Sequence, residues 1–496
     1  MTITSDVSRV PLKNPDAFYI GGGWRKGRGA GFDVIDPASE ERYFTVAMAE
    51  REDVEAAVQA ARQAFDHGPW PRLSHKERAD YLLALGEAVR RRGDDFAALW
   101  THQVGNLHTF SSQFSPALGG VFDYYASLAD SFPFEEQRQP LSGGAFGLIV
   151  REPVGVVAAI IPWNAPLSLI VYKVAPALLA GCTIIVKASP EAPGEAGLMA
   201  ELAEEAGLPP GVFNMLTADR EVSQYLVEHD GVDKVSFTGS SLAGSRIGAI
   251  CGERIARCTL ELGGKSAAVI FDDVAIDEAA DALTMTPRLM AGQVCAALTR
   301  VIVPRHRHDA MVAALADRYS ALRVGDPMAP DSDVGPLAMA RQRDRVEHFI
   351  AQGVAEGAVL ATGGQRPANL NRGFYVEPTV FGNVANSMAI AREEIFGPVV
   401  SVIPVADEDA ALAAANDSAF GLNASVFTHD AERAYRAARV LRSGTVGQNA
   451  FRTDFSMAFG GFKRSGIGRE GGTEGLHLFL ETKTIILDDA PPHLRG

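Results

Sequence analysis

Between residues 154 and 261 the chain repeats one pattern. VGVVAAII (154–161) is a continuous run of β-branched and small apolar residues, suited to a strand buried on both faces. PWNAP follows, then the helical stretch LSLIVYKVAPALLAG. CTIIVKAS (182–189) is a second such strand. A polar-faced helix over 194–206 leads to VFNML, then to VDKVSFTGS and the helical SLAGSRIGAICG. Strand and helix alternating in this way predict an α/β fold with a doubly wound parallel sheet covered by helices. Ligands of such sheets lie beyond the carboxyl ends of the strands. The loops PWN, KASPE and FTGSS therefore become the candidates for binding.

The remaining chain is consistent with a multidomain protein, since 496 residues are long for one core. From residue 259, TLELGGKSAAVIF turns at Gly263-Gly264 and opens a second α/β segment reaching about residue 445. FYIGGGWRKG (18–27) reads as a short hairpin, and residues 52–65 repeat apolar positions at helical spacing. Ser74-His75-Lys76-Glu77 is a capping box opening a helix that runs to Arg90-Arg91-Arg92. That cluster reads as a helix C-terminus, with cations complementing the dipole and Gly93 as the cap. Residues 131–151, with Pro, Gly and alternating polarity, suggest a strand pair leaving the domain. FLETKTIILDD reads as a strand with no hairpin partner beside it. The favoured reading is that it completes another chain's sheet, and docking on its own domain is the alternative.

Composition removes several function classes. The formal net charge of −15 argues against a phosphate-backbone partner, so no nucleic acid is expected. Cys182, Cys251, Cys258 and Cys295 are too few for a disulfide scaffold and lack zinc spacing, and His306 and His308 in PRHRHD read as a solvated turn. No metal is expected. The stretch 154–186 is broken by Pro162, Asn164, Pro166, Lys173 and Pro176 and does not read as a membrane span. MTITSDVSRVPLKNP has no apolar signal-peptide core, so a reducing cytoplasm is the expected compartment.

Taken singly, the chemical motifs are weak. Phe237-Thr238-Gly239-Ser240 enters a helix, where backbone N–H groups favour an anion. It lacks the G-x-G-x-x-G fingerprint, and an ordinary strand–helix turn explains it equally well. Lys187, ending a buried strand, can reach ribose or phosphate oxygens or face solvent. Cys295 in AGQVCAALTR would alone be a small buried filler.

Together they mean more. Pro162-Trp163-Asn164, Phe237-Thr238-Gly239-Ser240, Leu260-Glu261-Leu262-Gly263-Gly264-Lys265 and Gly292-Gln293-Val294-Cys295 follow one another. Then come Glu393-Glu394-Ile395-Phe396-Gly397-Pro398, Phe459-Gly460-Gly461-Phe462-Lys463 and Ser465-Gly466-Ile467-Gly468-Arg469-Glu470. In order and spacing the set resembles the NAD(P)-dependent aldehyde dehydrogenase superfamily, from about residue 18 to 486. The resemblance implies a Rossmann-like NAD(P)-binding domain (1–130 and 153–262) and a catalytic α/β domain (263–464). It also implies a small β oligomerisation arm with the C-terminal strand (131–152 and 465–496), and hence a homodimer or homotetramer.

The implied chemistry is oxidation of an aldehyde to the carboxylic acid. Cys295 attacks the carbonyl as thiolate, Asn164 and the Cys295 N–H hold the oxyanion, and Glu261 activates the water that hydrolyses the thioester. By the same resemblance Trp163, Gly239 and Ser240 meet the pyrophosphate, Lys187 the adenine ribose, and Glu394 the nicotinamide ribose, with Phe396 packed near the nicotinamide. Lys173 and Glu470 match a proton-relay pair, for which a plain buried ion pair is an equal alternative. The substrate would meet Leu169, Tyr172, Val294, Ala296, Phe451, Arg452 and Phe459.

Departures from the family pattern matter. Pro190 stands where many NAD-preferring members have a ribose-binding glutamate, with Glu191 one position later. NAD use with NADP tolerated is therefore expected. Met290 replaces an asparagine five residues before Cys295, and Asn449 matches an asparagine near the substrate. The mostly apolar pocket suits a medium-sized aliphatic or aromatic aldehyde. Arg452 could clamp a carboxylate and select a semialdehyde, but pairing with Asp454 is the favoured reading. Two other functions remain. A CoA-acylating relative usually lacks the glutamate at Glu261. A non-catalytic structural member would have no need of Cys295, Glu261 and Asn164 together.

Overall fold

The computed structural model describes residues 10–454 and 456–494. The N-terminal stretch MTITSDVSRVPLKNP, expected to lack a signal-peptide core, lies partly outside them, at residues 1–9. Five parallel strands form the heart of the first sheet, in the spatial order Arg257–Glu261, Lys234–Thr238, Val156–Ile160, Thr183–Ala188, Phe213–Thr217. Chain order reverses between Val156–Ile160 and Lys234–Thr238, and this switch point opens a crevice at the strands' carboxyl ends. Two of the three expected loops, PWN and FTGSS, leave from there. All five residues of Val156–Ile160, of Phe213–Thr217 and of Lys234–Thr238 are buried, as a sheet covered on both faces requires.

The hairpin of Ala17–Ile20 and Gly23–Lys26 extends this sheet at one edge, pairing Tyr19 with Met215. Gly466–Ile467 closes the other edge against Leu260 and Glu261. This corrects the expected arm, since residues 466–467 belong to the first sheet. Among the described residues the second sheet has seven strands, with Val399–Val405, Leu298–Pro304 and Ser266–Ile270 at its centre. The arm itself is a three-stranded sheet of Glu135–Arg138, Phe146–Pro153 and Leu480–Leu487.

The terminal strand departs from the favoured reading. Leu480–Leu487 pairs in continuous antiparallel register with Phe146–Pro153 of its own chain, from Leu480 opposite Pro153 to Leu487 opposite Phe146. It is the edge of that sheet and carries exposed Ile486 and Leu487. The Arg cluster does stand at a helix C-terminus, with Arg90 and Arg91 in the last turn, but the cap departs from the expectation. Ser74 caps His75–Arg91 as the capping box predicts, but the helix ends at Arg92, and Gly93 opens the next helix, Gly93–Val104. A Cβ on Gly93 would lie 2.8 Å from Pro116 Cβ, so this glycine serves helix packing. The three arginines are all paired: Arg90 with Asp123, Arg91 with Glu205, and Arg92 with Asp95 and Glu201.

Exposed His306 faces Asp272, while His308 Nε2 accepts the Asn383 N–H at 2.9 Å. Among the described residues no helix is long and apolar enough to cross a membrane.

Candidate active site

Cys295 follows a tight left-handed turn, with Met290 and Ala291 at φ 50° and Gly292 at φ 74°. Non-glycine residues rarely adopt this conformation, and asparagine does so more readily than methionine. The Met290 side chain packs on Trp100, Val104 and Ala338, which offsets that backbone cost. Gln293 staples the turn. Its Nε2 donates to the Met290 carbonyl at 3.0 Å and its Oε1 accepts the Ala338 N–H at 3.0 Å. Asn164, just before the helix Pro166–Ala180, donates through Nδ2 to the Gln293 carbonyl at 3.0 Å, which leaves its second N–H for another acceptor.

The LELGGK segment passes behind the cysteine. A Cβ on Gly264 would lie 2.1 Å from the Cys295 carbonyl oxygen, and one on Gly263 2.5 Å from Glu394 Oε2. Only glycine lets both approaches happen. Ser465 locks this loop, its hydroxyl donating to the Gly263 carbonyl at 2.7 Å and its carbonyl accepting the Leu262 N–H at 2.9 Å. The Gly239 N–H donates to the Glu261 carbonyl at 3.0 Å, joining FTGS to LELGGK.

One cavity of about 870 Å³ connects these parts. Its wall includes Trp163, Asn164, Leu169, Gly239, Ser240, Val294, Cys295, Ala296, Glu394, Phe396, Phe451 and Phe459. Sequence reasoning missed Trp100, Phe110 and Phe114, which close its apolar end from the helices Gly93–Val104 and His108–Ala117. Nothing local marks them. Trp100 reaches the site by donating Nε1–H to the Asn164 carbonyl at 2.8 Å, across 64 residues. Gln342 was missed too; its Nε2 donates to the Phe396 carbonyl at 2.7 Å and steadies that loop.

Several expected residues stand elsewhere. Tyr172 is buried outside the cavity wall. Arg452 is exposed and also off the wall, and the favoured Arg452–Asp454 pair is absent among the described residues. Asp454 instead accepts the Ser456 hydroxyl and N–H, at 2.7 and 2.9 Å. Asn449 turns to the backbone of Thr428, accepting its N–H at 2.8 Å and donating to its carbonyl at 3.0 Å. Lys187 ends its strand beside Ile161 and lies off the main cavity, near Glu191, which Ser189 and Arg341 both contact.

Electrostatics distinguish the acids. Glu261 is 3% exposed, and neither carboxylate oxygen has a hydrogen-bond partner among the described residues. Burial and the nearby Glu470 carboxylate push its pKa well above the ordinary range, against the pull of Lys173 and Arg469. Lys173 and Glu470 form a buried ion pair, and Lys173 Nζ also donates to Thr238 Oγ1 at 2.8 Å. Burial pushes the Cys295 thiol up to about 12, with Glu394 and Glu261 adding, while the Ala296 and Cys295 N–H groups pull it down. Glu394 accepts the Gly264 N–H at 3.0 Å, yet burial holds its carboxyl at about 7.

The crevice fits a dinucleotide. Ser240 caps the helix Ser241–Arg254 by accepting the Ala243 N–H, so the positive end of that helix faces the cavity beside Gly239. Trp163 and Phe396 meet edge to face at 5.4 Å on the same wall, next to the Glu394 carboxyl. Residues 24–485 match the aldehyde dehydrogenase family. The chain belongs to that family. It is 41% identical over 471 residues to geranial dehydrogenase of Castellaniella defragrans, covering 95% of this chain and 98% of that one. Among solved structures it is similar to Mycobacterium tuberculosis aldehyde dehydrogenase complexed with NAD+ (TM-score 0.92, 43% identity, 95% and 98% of the two chains). It is also similar to a variant of aldehyde dehydrogenase C from Pseudomonas syringae in complex with NAD+ and octanal (TM-score 0.93, 37% identity, 97% and 99%). Like these aldehyde dehydrogenases, the chain folds as a mixed α/β protein with a Rossmann-like sheet.

Proposed function

We infer that the protein oxidises an aldehyde to its carboxylic acid with NAD through a cysteine-bound thioester. The observation that carries this reading is Cys295 in the wall of the cavity between the Asn164 amide and the loop bearing Glu261. Cys295 Sγ adds to the carbonyl carbon, and the Asn164 side chain with the Cys295 N–H stabilises the oxyanion. Such a donor is worth roughly 3–4 kcal/mol in the transition state. NAD supplies the hydride acceptor; Ser240 and the helix it caps, Trp163, Lys187, Glu394 and Phe396 would hold it. Glu261 then takes a proton from water, and the resulting hydroxide releases the acid from Cys295. Burial and the Glu470 carboxylate raise the Glu261 pKa, which makes its ionised form a stronger base. Lys173 and Glu470 pass that proton on.

Pro190 leaves no carboxylate at the position that would repel a 2′-phosphate, while Glu191 is engaged by Ser189 and Arg341. NADP is therefore tolerated beside NAD. The free edge of Leu480–Leu487 supports assembly into a dimer or tetramer, which light scattering on the purified protein tests. The functional test is NADH and NADPH formation over a panel of aldehydes, beside Cys295→Ala. Turnover in the wild type, abolished by the substitution, is the expected result. Turnover surviving in Cys295→Ala removes the covalent route.

A further inference from the structure

Trp100 has two faces to its environment. Its ring walls the apolar end of the cavity, where Phe110 and Phe114 meet it at 6.0 and 5.9 Å between ring centres. The rest of the indole packs on Val104, Met290 and Ala338, and the residue is only 3% exposed. An indole N–H buried among apolar side chains needs an acceptor. The one it finds is the Asn164 carbonyl, at 2.8 Å.

That acceptor lies in a stretch with few other ties. At the end of the strand before it, the Ile161 N–H donates to the Lys187 carbonyl at 3.0 Å. At the start of the helix after it, the Ala165 carbonyl accepts the Leu169 N–H at 3.2 Å, and Ala165 has no side chain to cap that helix. Between these points, among the described residues, the backbone of 162–164 makes one hydrogen bond, the one from Trp100. The Asn164 side chain makes one more, from Nδ2 to the Gln293 carbonyl at 3.0 Å. With its carbonyl held at one end and Nδ2 at the other, the residue has its second amide N–H fixed in direction.

The helix Gly93–Val104 gives the indole a firm base. Gln103 Oε1 accepts the Gly194 N–H at 2.8 Å, which ties the helix to Gly194–Glu205. The left-handed Gly105 caps it at φ 81°, so close to the next loop that a Cβ would lie 2.7 Å from Pro336 Cγ. Two residues on, the Ala338 N–H holds Gln293 Oε1. The same frame therefore supports Trp100 and the turn that carries Cys295.

We propose that Trp100 is a positioning residue for the oxyanion site, its indole N–H holding the Asn164 backbone so that the free amide N–H and the Cys295 N–H converge on one oxygen. The proposal rests on Cys295 and Asn164 serving as nucleophile and oxyanion donor. In that step Sγ bonds the aldehyde carbon and the carbonyl π pair moves to oxygen, where both donors meet it. Trp100 acts on this oxygen only through Asn164. Removing the indole N–H leaves the Asn164 carbonyl without its partner, a cost that movement of the 162–165 backbone relieves. Such movement turns the amide away while its bond to Gln293 persists.

The test is NADH formation from propanal with saturating NAD, followed through the first-turnover burst and the steady state, in Trp100→Phe, Trp100→Gln, Asn164→Ala and Trp100→Phe combined with Asn164→Ala. Phenylalanine keeps an aromatic wall and loses the donor. Its burst rate and kcat are expected to fall about tenfold, with KM for propanal and Kd for NAD unchanged, because the loss is felt in the transition state. Glutamine loses the ring but its amide N–H has a similar reach. Trp100→Gln should therefore recover most of the wild-type kcat on propanal while KM for octanal rises, and it carries the test if Trp100→Phe does not fold. Asn164→Ala is expected to lose roughly 100-fold in kcat. Adding Trp100→Phe to it should cost less than about twofold more, since both act on one donor. A further tenfold fall in the combined variant, wild-type kcat in Trp100→Phe, or a propanal kcat in Trp100→Gln as low as in Asn164→Ala overturns the positioning role. Wild-type burst and kcat in Asn164→Ala overturns the oxyanion assignment instead.

Discussion

At the scale of single residues, the proposed contact of Glu394 with the nicotinamide ribose has a direct readout in cofactor binding. Burial raises its carboxyl to about 7, and the Gly264 N–H, Lys265 and Arg345 only partly counter this. A carboxylate accepts ribose hydroxyls better than a carboxylic acid does. Binding of NAD therefore favours the ionised form, and the Kd for NAD should fall as pH rises through about 7. Glu394→Gln, which cannot ionise, should bind more weakly and show a flat profile by fluorescence titration between pH 6 and 8. A pH-dependent Kd retained in the variant would assign the titration to another group. Glu394 was legible in the sequence because a motif surrounds it. Arg452 and Asn449 were not, since they lie in and beside a loop whose course depends on distant contacts. Asn449 is held by Thr428, 21 residues away.

At the scale of elements, β-branched runs announced the buried strands, because full burial on both faces leaves little else that packs there. The end of the His75–Arg91 helix was legible, but its cap was misread because Gly93 has a packing role that periodicity does not reveal. The glycines of LELGGK carry the same lesson with functional weight. At Gly264 the atom a methyl group would strike is backbone, the Cys295 carbonyl oxygen at 2.1 Å, so the loop of the proposed nucleophile must move. A displacement near 1 Å at a reacting group costs about 100-fold in rate. Gly264→Ala should therefore lose about two orders of magnitude in kcat while keeping a cooperative thermal transition. Gly252→Ala is the control, since a Cβ there meets nothing within 4 Å on the helix Ser241–Arg254. It should match the wild type in both measurements. A fully active Gly264→Ala would show that the loop yields without moving Sγ.

At the scale of the whole molecule, substrate choice belongs to a wall assembled from distant segments. Trp100, Phe110 and Phe114 come from helices before residue 120, Leu169 from the first sheet's domain, and Met290, Val294, Phe451 and Phe459 from the rest. No charged side chain is among these eight. The charged lining, including Arg345, Arg392, Glu393, Glu394 and Arg464, belongs with the cofactor motifs and the segments that hold them. Phe110 and Phe114 stack at 5.2 Å with 19° between planes, so each turns a face to the other instead of caging a cation. A substrate carrying a carboxylate or quaternary ammonium would lose its hydration here without an opposite charge in return. The wall therefore favours aldehydes with apolar chains or rings. Each added methylene buried against it is worth about 0.8 kcal/mol, close to fourfold in kcat/KM. From propanal upward kcat/KM should climb by about that factor per carbon until the tail outgrows the cavity, with betaine aldehyde and succinic semialdehyde far below. Phe114→Ala should flatten the climb by removing wall from the tail end while leaving kcat for short aldehydes in place. A flat series in the wild type, or a semialdehyde at its top, would mean that the apolar end does not hold the substrate and that exposed Arg452 does the selecting.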